Sequence, residues 1–466
     1  MKSSRADPVI RLFHDPPDPV RVPSAPEARW VERLLWLFLF SFAFDYRTQA
    51  GREGGGLDQM MFLATSVMAS AGIALLGLRF LTVRPGVWLI GFWALFLTFL
   101  MTSSAIQGVE AGRMLRVALP LLLCFMAMTN AHIAACMGIR PARIVRPVLI
   151  AACINILWRI FHGFVFQEAS IETVRFEVQS PANGWLAAWI GCALLLRPRF
   201  HWSLVAACGV LFTGIFITVT RSLFFPVVAS MFAAGFCFLL GIAWRQHAWS
   251  ALPRRLLPVG VAAAALAFLL AAAAVIQPVM IERWNERLFH NAGDRNLGSD
   301  ISYLTRKAEA DAIWKILADD PVHFIHGRGV GSSYYWDPAY LPEIYLVIPK
   351  KDVEVDDMWF AGHSVWTYGL LSGGVIGLAC YVGLLGGTMA AGMAAARANS
   401  SHPGPDQWLA FLPFVATCCV ISETLTANPF QERLTGILFG MMAGLPQAFL
   451  LRASWIHAQP GNSANP

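Results

Sequence analysis

The chain has 466 residues, 56% of them hydrophobic and 14% charged, with a formal net charge of +6. A soluble domain carries about 25% charged residues, and here the apolar residues come in blocks of about 20, the length that crosses ~30 Å of hydrocarbon. That excludes a soluble globular protein; the lack of short alternating segments argues against a β-barrel, and basic residues placed at block ends argue against a nucleic-acid partner.

In chain order, residues 1–30 are polar and rich in Pro and Arg, and read as a disordered cytoplasmic tail, not a cleavable signal peptide. Nine spans are predicted within 31–277, at roughly 31–46, 59–79, 86–106, 114–137, 144–165, 183–197, 202–220, 223–243 and 256–277, the sixth being short. A long hydrophilic segment, 278–362, precedes three more spans within 363–453, at 364–393, 408–423 and 434–452, and a second tail, 454–466. The predicted fold is an all-α polytopic membrane protein, with about twelve transmembrane helices and one large, partly helical periplasmic loop. With the N-terminus inside, the cytoplasmic segments hold 18 Lys/Arg and the short outer loops 7, a bias that sets both termini in the cytoplasm. The segment 278–362, with nine Lys/Arg and fourteen Asp/Glu, then lies outside, where no ATP or nucleotide sugar is at hand. The nine cysteines lie in or beside apolar blocks, and their spacing suggests neither disulfides nor a metal site.

Several residues stand out, each with a plainer reading beside it. Arg113 and Arg116 flank the outer start of the fourth span and add positive charge there. Arg159 and His162, in "NILWRIFHGF", lie in the outer half of the fifth span; ionisable residues within a membrane mark function by default, with a buried salt bridge as the plain alternative. Arg221, in "FITVTRSLFFPVV", stands between two spans with almost no loop: either a snorkelling turn residue or a phosphate partner. Arg306 sits early in a helical stretch whose apolar face is Leu304, Ala308, Ala312, Ile313 and Leu317; on its own it reads as part of a solvated amphipathic helix beside Glu309. "FIHGRGVGSSYYW" (324–336) has glycines at 327, 329 and 331 but no βαβ context, so it reads as a tight turn in which Arg328 meets an anion. His323 and His326 lack a third metal ligand, and the acidic run 352–357 lacks an EF-hand pattern. Last, "AGHSVWTYGLLSGGVIGL" places His363 at the outer mouth of the tenth span, with Gly374 and Gly377 suited to close helix packing.

Taken together, these features resemble the O-antigen ligase / O-antigen polymerase superfamily of membrane glycosyltransferases. The resemblance rests on about twelve spans with one large late loop, on Arg221 at an outer turn before it, and on Arg306 in a loop helix leading to Gly327, Gly329 and Gly331. It also rests on the His363-Ser364 pair followed eleven and fourteen residues later by Gly374 and Gly377. It covers about residues 210–385; the first two hundred match only in hydropathy. It implies a donor glycan on undecaprenyl diphosphate, a lipid A–core acceptor, an inner-membrane setting with a periplasmic site, and no cofactor. The leaving diphosphate needs charge stabilisation, and with no suitably placed Asp-x-Asp pair for a metal, arginine forks serve instead. Arg221 and Arg306 take that role, with Arg159, Arg328, Arg113 and Arg116 as further substrate-binding candidates. His363 is the general base for the acceptor hydroxyl, a contribution of about 10²–10⁴-fold. A polymerase or a protein O-oligosaccharyltransferase shares these features. A secondary transporter is disfavoured, because spans six and seven are joined only by "RPRFH", there is no internal repeat, and the loop would be idle.

Overall fold

An apolar run removed from water leaves backbone N–H and C=O groups only one another to bond, and so closes into a helix. The computed structural model describes residues 25–46, 56–83, 86–166, 178–197, 201–239, 252–276, 278–288, 301–340, 342, 358–399 and 406–451. Most of the two predicted tails and the acidic run 352–357 lie outside the described residues.

A helix lies over each of the twelve predicted segments. They are α1 (Ala25–Ser41), α2 (Leu57–Gly77), α3 (Gly86–Ile106), α4 (Ala111–Cys136), α5 (Pro141–Val165), α6 (Ala182–Leu195), α7 (Trp202–Thr218), α8 (Phe224–Leu239) and α9 (Leu252–Ile276). After α10 (Pro278–Leu288), α11 (Ile301–Ala318) and α12 (Pro321–His326) come α13 (Val365–Asn399), α14 (Leu412–Thr424) and α15 (Arg433–Gly444). Among the described residues eight helices are long and apolar enough to cross a membrane: α2, α3, α4, α5, α13, α15 extended to Leu451, and both α8 and α14 with their preceding 3-10 turns. The chain is therefore a helical, multi-pass membrane protein. α6 and α7 are apolar but shorter, at 14 and 17 residues. Two boundaries differ from expectation. Helix α1 starts at Ala25, inside the segment read as tail, where Pro26 suits a first turn. The tenth predicted segment is not one continuous span: α13 breaks at Gly374, whose φ of 60° and ψ of −159° are not helical.

The tightest seam joins α15 to α4. Gly436, Gly440 and Gly444 form one stripe on α15, and a Cβ on them would come within 2.1, 2.2 and 2.5 Å of the carbonyls of Pro120, Cys124 and Met128. Lipid tails provide no hydrophobic drive between helices, so such close backbone contact supplies the packing.

Polar contacts define two ends of the bundle. At one, Arg79 pairs with Glu27, Arg143 with Glu32, and Gln447 accepts from the Gly86 amide. At the other lie Asp45, Arg159, Gln107, the described parts of 301–364, and the turn before α15. This is the loop end. Buried Arg159 is bonded there on every nitrogen: Nε to the Asp45 carbonyl at 3.3 Å, Nη1 to the Gln179 carbonyl at 2.6 Å, and Nη2 to Glu432 at 3.1 Å. Arg433 reaches Asp45 at 3.4 Å.

Candidate functional site

The site is built where the amphipathic helix α11 meets the start of α13. Leu304, Ala308, Ile313 and Leu317 are buried, as their spacing predicts, and Glu309 goes down with them, its side chain 0% exposed. Its carboxylate meets four donors: the His363 amide at 2.6 Å, His363 Nδ1 at 3.0 Å, the Ser364 amide at 3.3 Å and the Thr367 hydroxyl at 2.7 Å. The two amides lie just ahead of the first turn of α13, whose N-terminus carries positive partial charge. Ser364 caps the same turn, its hydroxyl oxygen accepting from the Trp366 amide at 3.3 Å. Burial alone would raise the Glu309 carboxyl, but the hydrogen bonds from His363 and Thr367 and the adjacent imidazole hold it below its usual 4.5.

An ionised Glu309 only accepts, so Nδ1 of His363 must be the donor, and a neutral ring then turns the lone pair of Nε2 outward. The His363 side chain is 43% exposed, so the free nitrogen has access. A carboxylate that fixes the tautomer of a reachable imidazole is a general-base arrangement.

The surrounding elements hold the histidine from three sides. Tyr334 and Trp359 form an isolated antiparallel bridge with N–H···O distances of 2.8 and 3.0 Å. It stacks Trp336 on Trp359 at 4.4 Å, and both rings lie about 6 Å from the imidazole. Burial and the nearby Glu309 charge push the Tyr334 hydroxyl well up, keeping it neutral. The Gly362 carbonyl accepts from Asn428 at 3.3 Å and from Gln431, on the turn between α14 and α15. A side chain at Gly362 would meet Tyr368 at 2.4 Å and Glu309 at 2.7 Å. Arg306, one helical turn before Glu309, donates to the Thr426 carbonyl in that same turn.

The glycine-rich stretch is a docking element. Where α13 breaks, the carbonyls of Leu371 and Ser372 accept instead from the amides of Arg328 (2.7 Å) and Gly329 (2.9 Å). The approach is backbone to backbone: a Cβ on Gly327 would lie 2.5 Å from Gly373 N, and one on Gly374 would lie 2.3 Å from the Ile325 oxygen. Gly331 donates to the Tyr368 hydroxyl at 3.0 Å, which donates to the Phe360 carbonyl at 2.7 Å.

Of the sequence-singled residues, the structure brings His363 and Arg306 together. Arg113 lies at the same end, its guanidinium 3.4 Å from the sulfur of Met358. Arg328 contributes its backbone to the α13 break, and Arg116 is exposed on the first turns of α4. Arg221 opens a 3-10 turn at the loop end, ahead of α8. Arg159 belongs to the ion network described above, which favours the plain salt-bridge reading over a substrate role. His162 stacks on Tyr46, and His323 bonds to Asp320 and Gln107. The sequence reading missed Glu309 as a partner of His363, although an acid four residues before Ile313 on an apolar face is a burial signal. It also missed Trp336, Trp359, Asn428 and Gln431, whose roles depend on chain crossings that spacing does not encode.

No protein-family model matches this chain, and no curated protein is significantly similar to it. The class defined by fold and site is a multi-pass helical membrane protein with a carboxylate-held histidine at its loop end.

Proposed function

We propose that this chain is a membrane glycosyltransferase that moves a polysaccharide from undecaprenyl diphosphate to a lipid A–core saccharide, at the outer face of a bacterial inner membrane. The reading is carried by the Glu309–His363 pair one helical turn from Arg306, at the loop end of an apolar bundle. The Lys/Arg bias, which turns that end away from the cytoplasm, supports it.

In the proposed step Nε2 of His363 takes the proton of the acceptor hydroxyl as its oxygen attacks the anomeric carbon. The bond from that carbon to the lipid diphosphate breaks, and the diphosphate leaves with the electron pair. Arg306 and Arg221 offer fixed positive charge and paired N–H donors to the departing oxygens, while Arg113, Arg116 and Arg328 add positive charge at the same end. A single displacement inverts the anomeric centre. Glu309 steadies the imidazole and the cation it becomes.

The test is complementation of a gene deletion followed by a lipopolysaccharide gel. Wild type restores long-chain lipopolysaccharide; His363→Ala and Arg306→Ala, expressed at wild-type level, do not, and Arg306→Lys rescues poorly because the planar fork is lost. Full long-chain lipopolysaccharide with His363→Ala overturns the reading. A deletion that leaves core capped with a single repeat assigns the polymerase reaction instead.

A further inference from the structure

Outside the spans, four large apolar side chains on one short stretch are uncovered: Trp314 is 60% exposed, Val322 58%, Ile325 56% and Phe324 37%. They sit at the end of α11 and on α12. Two contacts fix their depth. His323 of α12 bonds Gln107, the residue just past α3, at 3.2 Å, and the Ile325 carbonyl rests against Gly374 at the break of α13. α3 has 21 residues, about 31 Å at 1.5 Å per residue, which matches the ~30 Å hydrocarbon thickness. The stretch 375–399 alone is about 37 Å long. Gln107 and Gly374 therefore both mark the loop-side boundary of the hydrocarbon, and α12 lies on that boundary. The adjoining side chains of the spans, Ile106, Val375 and Ile376, are exposed as lipid-facing residues are. The apolar face of α12 thus continues the lipid-facing surface of α3 and α13. Trp314, edge-on to Phe324 at 6.1 Å, has the amphipathic ring that favours the headgroup level, and exposed Lys315 and Asp319 keep the stretch from sinking deeper.

We propose that α12 and Trp314 insert into the headgroup–acyl boundary of the loop-side leaflet as an interfacial anchor. Since Trp314 shares α11 with Arg306 and Glu309, the anchor holds the site at the level of lipid phosphates. The proposal rests on the membrane-spanning helices and not on the reaction assigned above.

The test uses the full chain with its nine cysteines replaced by alanine, bearing Val322→Cys, Ile325→Cys or, as control, Ala339→Cys on the exposed turn Pro338–Tyr340. Each is labelled with an environment-sensitive fluorophore and reconstituted in phosphatidylcholine vesicles containing a lipid-borne quencher, either near the headgroup or near the chain end. Labels at 322 and 325 are expected to shift to the blue and to be quenched more by the shallow probe than the deep one, with the control staying water-like. Water-like emission at both sites overturns the proposal. So does a blue shift that neither quencher reaches, which would mean a protein segment or a second copy covers the face, and so does stronger quenching from the deep probe. Should the cysteine-free chain misfold, Trp314→Phe in the native sequence decides: it must remove part of the intrinsic fluorescence that headgroup-proximal brominated lipid quenches, and no change overturns the anchor.

Discussion

Glu309 is a carboxylate out of reach of water that four hydrogen-bond donors keep ionised, and removing its charge tests what it does. Glu309→Gln preserves shape but loses the anionic acceptor that selects the Nδ1–H tautomer. If His363 is the base, kcat falls by about 10²-fold while KM stays near wild type, measured as transfer from a lipid-diphosphate donor in detergent. A loss confined to KM would contradict this. The same residue sets an acid limit on stability. Its folded-state pKa is depressed below 4.5, so its contribution is fully present above about pH 4.5 and is lost as pH falls through the lowered value. The thermal-midpoint advantage of wild type over Glu309→Gln should therefore be largest above the carboxylate range and close below it. At this scale the sequence marked Arg306 and His363, because a charge at the edge of an apolar run is conspicuous. It hid Glu309, because an acid one turn after an arginine on an amphipathic helix looks like a solvated pair until another segment covers it.

Among the elements, α13 departs most from what its composition suggests. Both sides of Gly374 are apolar and helix-forming, so hydropathy runs through the break unchanged; only the arrival of the Gly327–Gly331 stretch, 40 to 50 residues earlier in the chain, makes it necessary. Gly374 and Gly377 had looked alike as packing glycines, and the structure separates them. At Gly374 any side chain meets both a left-handed backbone and the Ile325 carbonyl, whereas the nearest atom to a Cβ at Gly377 is 3.6 Å away. Gly374→Val should cost about 3 kcal/mol or more, and Gly377→Ala should stay within about 0.5 kcal/mol of wild type, read from thermal unfolding in detergent. The sequence reading did not single out the α15 stripe Gly436–Gly440–Gly444, and its partner, α4, lies some 300 residues away and could not be read from spacing.

Across the whole molecule, the position and order of the apolar helices followed from composition, because hydrocarbon thickness and backbone hydrogen bonding leave few alternatives, while eight of them, among the described residues, are long and apolar enough to cross a membrane. Which helices touch did not follow. The Asp45–Arg159–Glu432–Arg433 network joins the first, fifth and last helices at the loop end, and here the intramembrane arginine proves to be a clamp. Arg159→Met should lower stability by about 3 kcal/mol by leaving buried Asp45 and part-exposed Glu432 beside one cation fewer, while the double variant Arg159→Met, Glu432→Gln should recover part of the loss. Equal, additive losses in a double-mutant cycle would mean the two groups are not coupled.

The α13 break also bears on the order of biosynthesis. The amides that receive its stranded carbonyls belong to residues 328 and 329, translated before 371 and 372, so a growing chain already holds the cap when the broken helix emerges. The contacts from 426, 428 and 431 come last. A nascent chain stopped after α13 therefore lacks the contacts to Arg306 and Gly362, which the final helical hairpin supplies.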